Sequence, residues 1–536
     1  MLRKQHIEQL SDRDFDVLVI GAGINGAASA AALSARGVRV ALIDSRDFAG
    51  FTSQQSSNLV WGGIKYMENY EFGLVSGLCR SRNELMRSFP SSVQEIRFLT
   101  TVSKGFRHHP IMLWLGAWLY WFLGRGFTRT PKYLSVSHIR RQEPGVNVTD
   151  SPGGIEYSDA YLHDNDARFV FNFVRDAMDQ GCVAVNYMES LGAERQPDGT
   201  WVTQARDGES GRELEIRSRI LVNATGAFVD DHNLVTGIET GYRHILSRGV
   251  HLIVPRVNRE ERVLAFFASD GRLFFAIPMA NRTCIGTTDT RVDDPSTEVT
   301  EFDRDYVLSN INQRLNLAQP ITRDDIIAER CGVRPLAVKK EDTVGDSGDF
   351  LQLSRKHVME VSGDECHVSI FGGKLTDCVN VGNEVCNRVS EMGITLTETT
   401  AKWYGEPSEE VFNAYRYRAL QLGLDDDIAI DTKESLTTRL WRRYGSRAQD
   451  ILDMIEHNPY SATPIVPGMG LRRCEIEHMA NNEMIVNLED LLRRRSKLGM
   501  LIPRDELRSS PALFEVCKTL FGDRAPEKLK AYFGEQ

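Results

Sequence analysis

The distribution of apolar and polar residues near the N-terminus predicts a strand–helix–strand unit. Residues 15–20 are apolar except for one aspartate, which is typical of a strand buried on both faces of a sheet. The segment Gly21-Ala-Gly-Ile-Asn-Gly26 follows, and the alanine-, serine- and glycine-rich stretch from Ile24 to Arg36 favours a closely packed helix. Residues 38–43 are mostly apolar and predict a second strand, which Asp44 ends.

The positions of these glycines and of Asp44 indicate a dinucleotide-binding site. Gly21 permits a tight turn, Gly23 lets the backbone approach a pyrophosphate, and Gly26 lets the helix lie close to the sheet. The helix N-terminus binds the anion, and a carboxylate about 20 residues further on accepts hydrogen bonds from an adenosine ribose. The alternative is a glycine-rich turn in an ordinary βαβ unit, but strand, helix and acid all occur at the required spacing.

Two later segments repeat the combination of a buried strand and a glycine turn. Residues 220–226 end a stretch from Trp201 whose alternating pattern predicts β-hairpins, and residues 368–376 run from an apolar strand through Gly-Gly-Lys towards a helix. Further strand-like segments lie between them, at 251–255, 273–278 and 284–289. A nicotinamide enzyme usually keeps its nucleotide in one contiguous Rossmann domain, so glycine turns this far apart indicate FAD bound along an extended path.

These segments predict an α/β fold with three parts. A FAD-binding Rossmann-type domain, like that of glutathione reductase, is expected within residues 1–395, mainly at 14–100, 150–240 and 330–390. A β-rich substrate-binding domain is interleaved with it at about 100–150 and 241–330. Beyond about residue 400 the sequence is charged and helix-forming, with Leu and Met at helical spacing in 476–498. Residues 396–536 are therefore expected to form an all-α domain.

Composition narrows the class of protein. The chain has 536 residues, 41% hydrophobic and 26% charged, which is typical of a soluble protein with more than one domain. The net charge of −10 argues against nucleic acid as a partner. Nine scattered cysteines without a C-x-x-C pair indicate reduced thiols in the cytoplasm and no metal site, and the charged residues 1–13 do not resemble a secretory signal.

Residues 111–123 form an unusual apolar segment with three tryptophans and a tyrosine. The segment is shorter than the roughly 20 residues that a membrane span requires, and basic residues flank it. Aromatic residues with basic flanks are typical of a segment in a membrane interface. A core helix between domains is the alternative, and these residues alone do not separate the two.

Taken in order, the motifs resemble those of the FAD-dependent glycerol-3-phosphate dehydrogenase family, within the D-amino-acid-oxidase-like flavoproteins. The resemblance covers nearly the whole chain, including the helical C-terminal part. Singly each motif is weak, but their number and order are specific. The motifs that carry it are Gly21–Gly26, Ser56-Ser57 with Gly62-Gly63, Tyr66 with Tyr70-Glu-Phe72, Asn223–Gly226, Gly286–Asp289, Gly332–Leu336, Phe371–Thr376, Glu475–Met479 and Asn487–Arg495.

The resemblance implies bound FAD and assigns its contacts. They fall on the first glycine loop, on the end of the second strand, on the serine-rich loop after it and on the two later glycine turns. The implied cofactor-binding residues are Gly21, Gly23, Ile24, Asn25, Gly26, Asp44, Ser53, Ser57, Gly62, Thr225, Gly226, Gly373, Lys374 and Leu375.

Oxidation of a secondary alcohol requires a base for the hydroxyl proton, and histidine supplies one near neutral pH. His251 follows Arg-Gly-Val at the start of a predicted strand and matches the family's active-site histidine. A structural histidine is the alternative. Lys374 is a rival base or a partner of the flavin, because a cation beside the two glycines lies close to the cofactor.

A phosphate monoester substrate requires cations that converge on one end of the pocket. Arg334, within Gly-Val-Arg-Pro, and Arg355, within Leu-Ser-Arg, match the family's phosphate arginines, and Lys65 would be the third cation. For Arg355, a solvated ion pair is an equal alternative. Tyr66 is expected to bind the substrate or to pack on the flavin.

The sequence departs from the family in the expected pocket. Asn58, Trp61 and Lys65 stand where the family commonly has Lys, His and Arg, and Asp377-Cys-Val replaces Thr or Ser, Tyr and Arg. Lys65 keeps the charge but not the fork that binds phosphate at two points. These changes leave the flavin scaffold intact and leave the substrate open.

The resemblance implies FAD-dependent oxidation of glycerol 3-phosphate to dihydroxyacetone phosphate, with a quinone or another molecule as electron acceptor. Two alternatives stay open: oxidation of another small anion, such as a polyol phosphate, hydroxy acid or amino acid, and a non-catalytic flavin-binding redox sensor, against which His251 argues. The expected location is cytoplasmic, with peripheral contact to the inner face of the membrane through 111–123, and a homodimer is the expected assembly.

Overall fold

Two β-sheets and a helical C-terminal region make up the computed structural model. It describes residues 2–102, 106, 108–268, 272–342, 356–399, 402–426, 434–465 and 470–534. The strands are β1 (Asp14–Ile20), β2 (Val40–Ile43), β3 (Leu59–Val60), β4 (Val93–Val102), β5 (Lys132–Leu134), β6 (Gly153–Leu162), β7 (Val183–Val185), β8 (Met188–Arg195), β9 (Trp201–Asp207), β10 (Glu213–Asn223), β11 (Tyr242–Pro255), β12 (Arg262–Phe267), β13 (Leu273–Met279), β14 (Arg282–Gly286), β15 (Thr290–Val292), β16 (Ala328–Lys339), β17 (Val358–Ser362) and β18 (His367–Phe371).

The helices cover the sheets and build the C-terminal region. They are α1 (Leu2–Asp12), α2 (Ile24–Ser34), α3 (Phe72–Ser88), α4 (Pro110–Leu123), α5 (Val136–Gln142), α6 (Asp166–Asp179), α7 (Val229–Val235), α8 (Glu301–Arg314), α9 (Cys378–Glu391), α10 (Glu409–Gln421), α11 (Leu436–Tyr444), α12 (Ala448–His457), α13 (Arg473–Asn482), α14 (Leu498–Leu501), α15 (Arg504–Ser509), α16 (Pro511–Phe521) and α17 (Ala525–Phe533).

Within the described residues, eight strands form the first sheet, in the order β17-β18-β10-β1-β2-β7, with β9 beside β10 and β8 beside β9. The five strands from β18 to β7 run parallel. Helix α2 lies against α6 and α9, and its small buried residues permit the close approach. The predicted βαβ unit is confirmed, and its helix ends at Ser34, two residues before the predicted end.

The second sheet has ten strands among the described residues, in the order β15-β11-β14-β13-β12-β4-β6-β3, with β16 beside β11 and β5 beside β6. Its longest pairing joins β11 to β16, antiparallel, from Tyr242 opposite Lys339 to Ile253 opposite Ala328. Strands β3, β4, β6 and β16 belong to this sheet, although the predicted boundaries placed most of their residues in the FAD-binding domain. Their apolar pattern indicates burial, but it does not indicate which of two sheets a strand joins.

In the described part of the C-terminal region, the regular elements are helices, as expected, apart from an isolated bridge between Pro464 and Arg472. Residues 476–498 do not form one continuous helix. Helix α13 ends at Asn482, Met484 has a left-handed φ of +49°, and a single wide helical turn follows at Asp490–Arg495. That turn contacts the first domain, because Arg495 forms two hydrogen bonds with the buried Asp47, of 2.9 and 3.0 Å.

Residues 110–123 form helix α4, which has one buried and one exposed face. Ala117 and Tyr120 are buried, and the Tyr120 hydroxyl donates to Asp159 over 2.7 Å. The most exposed apolar side chains lie on the opposite side: Ile111, Met112, Leu115, Leu119 and Phe122. Among the described residues, no helix combines the length and apolar character needed to cross a bilayer. All nine cysteines are free.

Candidate active site

The three glycine turns meet at one edge of the first sheet, as their strands require. Strands β1, β10 and β18 are parallel neighbours, so their carboxyl ends point the same way. The Ala224 amide donates to the Ile20 carbonyl over 2.9 Å, which joins the first two turns. The Asn25 side chain donates to the Gly372 carbonyl over 3.0 Å, which joins the first turn to the third. Residues far apart in sequence therefore line one crevice.

The first turn leads from β1 directly into the N-terminus of α2 through closely packed glycines. Gly21 has a φ of +96°, and a Cβ atom on Gly26 would overlap the Gly21 carbonyl oxygen. The Ile24 amide donates to Ser53 Oγ over 2.9 Å. Asn25 Oδ1 is buried and has no hydrogen-bond partner within the described part of the chain. The helix N-terminus fits a pyrophosphate, and the buried acceptor of Asn25 fits a hydroxyl or N–H donor of the same cofactor.

Asp44 lies at the end of β2, where a ribose would lie. Its carboxylate accepts hydrogen bonds from the Ala22 amide, at 2.7 Å, and from the Arg46 amide, at 2.8 Å. A carboxylate offers about four acceptor positions, so two remain for ribose hydroxyls. Burial raises the pKa of Asp44 to about 6, and these backbone hydrogen bonds oppose the increase. The group is therefore ionised at neutral pH.

The second glycine turn leaves space at the end of β10. Thr225 is held by its own side chain, which donates to Asn223 Oδ1 over 2.7 Å. Gly226 has a φ of +63°, and a Cβ atom there would meet no atom within 4 Å. This open space lies beside the first turn and fits part of an extended cofactor.

Gly62 has a packing role that the sequence did not indicate. Its amide donates to Asp159 Oδ1 over 3.0 Å, and a Cβ atom there would overlap the Tyr120 hydroxyl. Gly373 approaches Asn25, with 3.1 Å from a Cβ position to the amide atoms. The other predicted cofactor residues, Ser57 and Leu375, are half-buried.

His251 lies on β11, 3% exposed, and neither ring nitrogen has a hydrogen-bond partner among the described residues. Burial holds the pKa of His251 well below 6.5, and the charges of Arg330 and Arg334 lower it further. The imidazole is therefore neutral at pH 7. A neutral imidazole with both nitrogens unengaged is able to accept a proton.

Arg334 lies on the same face of the sheet as His251. In the β11–β16 ladder, His251 is opposite Arg330 and Ser247 is opposite Arg334, and alternate residues share a face. The guanidinium of Arg334 folds over Gly249, where a Cβ atom would overlap it. Its nitrogens lie 3.3 Å from Asp289 Oδ1 and 3.3 Å from Thr287 Oγ1. His251, the predicted base, and Arg334, the arginine predicted to bind phosphate, are therefore neighbours.

Lys374 and Tyr66 also lie together, although they are far apart in sequence. The Lys374 Nζ donates to the Tyr66 hydroxyl over 2.8 Å, and the Tyr66 ring lies 5.9 Å from that of Trp61. Lys65, next to Tyr66, is half-buried. Arg355 lies outside the described residues.

Asn58 does not have the position that the resemblance gives it. It is 1% exposed, and its Oδ1 accepts a hydrogen bond from Arg330 over 2.8 Å, so it is a buried loop anchor and not a wall of the pocket. The sequence analysis missed Arg330 and its partner Asp166. Arg330 lies beside the charged Glu329 at the start of β16, so no local pattern distinguished it.

Asp377 also has a role that was not predicted. It accepts a hydrogen bond from His357 over 2.7 Å, and the other ring nitrogen of His357 lies 2.9 Å from Glu384. Burial opposes protonation of His357, but these carboxylates outweigh it and raise its pKa above the ordinary value. The hydrogen bond between His357 and Asp377 holds the turn that follows Lys374.

Comparison with known proteins identifies what the whole chain is similar to. A family model described as FAD dependent oxidoreductase matches residues 16–364, and one described as the C-terminal domain of alpha-glycerophosphate oxidase matches residues 392–527. Glycerol-3-phosphate dehydrogenase 2 of Mycobacterium bovis is 30% identical over 526 residues, which cover 96% of this chain and 86% of that protein.

Two further relatives extend the similarity. The aerobic glycerol-3-phosphate dehydrogenase of Staphylococcus aureus is 26% identical over 557 residues, which cover 99% of this chain and 96% of that protein. The structure of the glycerol-3-phosphate dehydrogenase from Bacillus halodurans complexed with FAD matches with a TM-score of 0.74 at 25% identity. That match covers 99% of this chain and 96% of the other.

Proposed function

The chain belongs to the FAD dependent oxidoreductase family, as the sequence predicted, and we propose that it oxidises glycerol 3-phosphate to dihydroxyacetone phosphate. The names of its relatives and the match to the alpha-glycerophosphate oxidase C-terminal domain support this substrate. The single observation that carries the proposal is the placement of the neutral His251 beside the cation Arg334 on one face of the second sheet.

The chain's own residues divide the work of the reaction. Arg334 binds the phosphate end of the substrate, because a guanidinium matches an oxyanion with two parallel hydrogen bonds. His251 accepts the proton of the secondary hydroxyl at Nδ1 or Nε2, both of which are unengaged among the described residues. Lys374 and Tyr66 orient the reacting carbon from the other side of the crevice. Bound FAD would supply the acceptor for the hydride that leaves this carbon.

The residues around the first-sheet crevice would hold the cofactor. The N-terminus of α2 and Ser53 would contact the pyrophosphate, and Asp44 would accept from the ribose hydroxyls. Gly226 and Gly373 leave room for close approach. These assignments support FAD and not FMN, which has no adenosine ribose.

We also propose that α4 brings the enzyme to a membrane, where a quinone accepts the electrons. Five exposed apolar side chains on one helix form a patch that soluble proteins seldom leave uncovered. Basic residues flank it, which favours an anionic lipid surface. Attachment to the inner face of the membrane and assembly as a homodimer both stay predictions.

The substrate is tested by anaerobic bleaching of the bound flavin. The purified yellow enzyme is mixed without oxygen with glycerol 3-phosphate, glycerol, lactate or glycine, and the flavin absorbance is followed. Glycerol 3-phosphate is expected to bleach it, and glycerol to do so far more slowly, because glycerol has no phosphate for Arg334. If glycerol 3-phosphate leaves the flavin oxidised while another compound bleaches it, the proposed substrate is wrong.

The second candidate is oxidation of another small anion, and Trp61 and Lys65 favour it. Trp61 packs against Tyr66, and Lys65 lacks the planar fork of arginine. The same panel decides between the two candidates, and Lys65→Arg refines the answer. Faster turnover of glycerol 3-phosphate by this variant would support the first candidate, whereas slower turnover would favour the second.

A further inference from the structure

We infer that Arg330 and Asp166 form a positioning pair, which fixes the loop at residues 52–58 against the cofactor site and keeps His251 unprotonated. Neither residue belongs to the machinery that the proposed function assigns. The role of His251 in this inference rests on the proposed function, whereas the role of the loop does not.

The pair is fully buried and joins two distant elements. Arg330, on β16, and Asp166, the first residue of α6, both have side chains that are 0% exposed. Arg330 Nη2 lies 2.5 Å from Asp166 Oδ2. Burial of an ion pair costs free energy that similar apolar residues would not cost, so stability alone gives little reason for one here. Its remaining hydrogen bonds show what the pair holds.

Those hydrogen bonds hold alternate residues of the loop. Arg330 Nη2 donates to the Gln54 carbonyl over 2.9 Å, the Ser56 amide donates to Asp166 Oδ2 over 2.8 Å, and Arg330 Nη1 donates to Asn58 Oδ1 over 2.8 Å. Each contact restrains the loop at a different point. The loop therefore has little freedom to move away from the sheet.

The restrained loop contacts both the proposed cofactor site and the C-terminal region. Ser53, just before the first anchor, accepts a hydrogen bond from the Ile24 amide at the N-terminus of α2. Gln55 packs on Gly332, where a Cβ atom would lie 2.9 Å from the glutamine Cβ, and it accepts from Arg493 of the C-terminal region over 2.7 Å. The loop is thus held by the Arg330–Asp166 pair, by the N-terminus of α2 and by the C-terminal region. Of the residues that make these contacts, Arg330 is the one that also lies next to His251.

Arg330 adjoins His251 directly across the ladder. The two residues are register partners on antiparallel strands, so their side chains leave the same face of the sheet. A fixed cation beside an imidazole disfavours the protonated form. Arg330 and Arg334 on β16 are the cations that act on His251, and Asp166 and Asp289 pair with them. Cys284 on the neighbouring β14 is a buried thiol.

The test separates the restraint on the loop from the charge. Arg330→Gln removes both the restraint and the charge. Arg330→Lys keeps the charge but loses the planar guanidinium that binds at several points. Asn58→Ala removes one hydrogen bond to the loop and leaves the ion pair intact. Arg168→Gln is the matched control, because Arg168 is an equally buried cation on α6 whose partner is Glu483 and not the loop. The variants are purified with FAD, and thermal unfolding checks that each is folded.

The first readout is the dissociation constant for FAD, measured by flavin fluorescence after removal and readdition of the cofactor. Arg330→Gln is expected to raise it at least about tenfold, Arg330→Lys and Asn58→Ala less, and Arg168→Gln by less than about twofold. If Arg330→Gln does not fold, Asn58→Ala decides. Unchanged FAD affinity in every folded loop variant would overturn the role of the pair in fixing the loop.

The second readout is the pH dependence of kcat/KM with the substrate that bleaches the flavin. Activity rises with pH as the base loses its proton. Without the charge of Arg330 the pKa of His251 rises, so the rise in activity should move to higher pH in Arg330→Gln and not in Arg330→Lys. An unmoved profile in Arg330→Gln would overturn the effect on His251. If glycerol 3-phosphate does not bleach the wild type, the proposed function is wrong. The FAD dissociation constants still decide whether the pair fixes the loop.

Discussion

The ammonium group of Lys374 donates a hydrogen bond to the Tyr66 hydroxyl over 2.8 Å and lies 4.3 Å from the centre of the tyrosine ring. Lys374 follows β18, and Tyr66 precedes α3. The contact therefore joins two sides of the crevice. Both an ionic hydrogen bond and a cation–π contact hold the lysine in place.

Lys374→Met should therefore slow reduction of the flavin more than Tyr66→Phe does. The methionine variant loses a charge that orients the reacting groups, and a hydrogen bond to a charged group contributes roughly 1.5–3 kcal/mol, so the rate should fall about ten- to a hundredfold. Tyr66→Phe keeps the ring contact and should cost less than about tenfold. Anaerobic stopped-flow measurements at saturating substrate give both rates. Equal rates in the two variants would contradict this assignment.

Gly26→Ala should abolish FAD binding or folding, because the added Cβ atom would overlap the Gly21 carbonyl oxygen. Gly77→Ala is the matched control, since a Cβ atom on this glycine of α3 meets nothing within 4 Å. Alanine in a helix is more stable than glycine by roughly 0.5–1 kcal/mol, so the control should keep its FAD and unfold slightly later. Flavin absorbance per protein and a thermal scan report both outcomes. A Gly26→Ala protein that is stable and keeps its FAD would contradict this close packing.

The sequence predicted the three combinations of strand and glycine turn well because their signals are local. Each glycine turn follows directly on its own strand, and parallel order then brings Gly21, Gly226 and Gly373 to one edge. It predicted the second sheet less well. Strand β4 pairs with β6 and β12, and these partners depend on long-range contacts that no local pattern encodes.

The pocket shows the same limit in single residues. Asn58 and Asp377 looked like changes to a substrate pocket, yet one anchors a loop through Arg330 and the other binds His357. Their partners lie far away in sequence, so only the folded chain identifies them. His251, Arg334, Lys374 and Tyr66 could be proposed from the sequence because each lies in a short motif, and their roles stay predictions.

The structure identifies which residues of α4 should be tested for membrane contact. Trp121 is held by a hydrogen bond from Nε1 to the Thr128 carbonyl over 2.6 Å, whereas Leu115, Leu119 and Phe122 are 57%, 43% and 64% exposed. Changing these three to serine should lower sedimentation with anionic vesicles at least about tenfold, given roughly 1.5–3 kcal/mol for full burial of each side chain. Reduction of a soluble dye should not change.

Leu420→Ser is the matched control, because Leu420 is 77% exposed on α10 of the C-terminal region. It should sediment with vesicles as the wild type does. If the α4 variant sediments normally, or if it loses FAD, the exposed face does not serve as the membrane contact.

His357 should make stability depend on pH. Because its pKa is raised in the folded protein, the stabilisation from its charged ring is complete below the ordinary value of 6.5 and is lost as the pH rises through the folded-state value. His357→Gln keeps a polar group without the charge. The difference in thermal midpoint between wild type and variant should therefore be larger at about pH 6 than at about pH 9. A difference that grows with pH would contradict the arrangement with Asp377 and Glu384.

Arg334 and His251 should affect different kinetic constants, because one binds charge and the other moves a proton. Arg334→Ala removes a charge-assisted hydrogen bond to phosphate, of roughly 1.5–3 kcal/mol, so kcat/KM for glycerol 3-phosphate should fall about ten- to a hundredfold while that for glycerol changes little. His251→Asn should lower kcat with little change in KM, since proton removal belongs to the transition state.

Arg248→Ala is the control for both variants, because Arg248 lies on the same strand but on the opposite face, where it pairs with Asp303 over 3.0 Å. Its kinetic constants for the two substrates should stay in the wild-type ratio. The contrast between phosphorylated and free substrate is the decisive measurement, since a general loss of folding or of FAD lowers both rates alike. Equal losses on glycerol 3-phosphate and glycerol in Arg334→Ala would remove this arginine from the phosphate site.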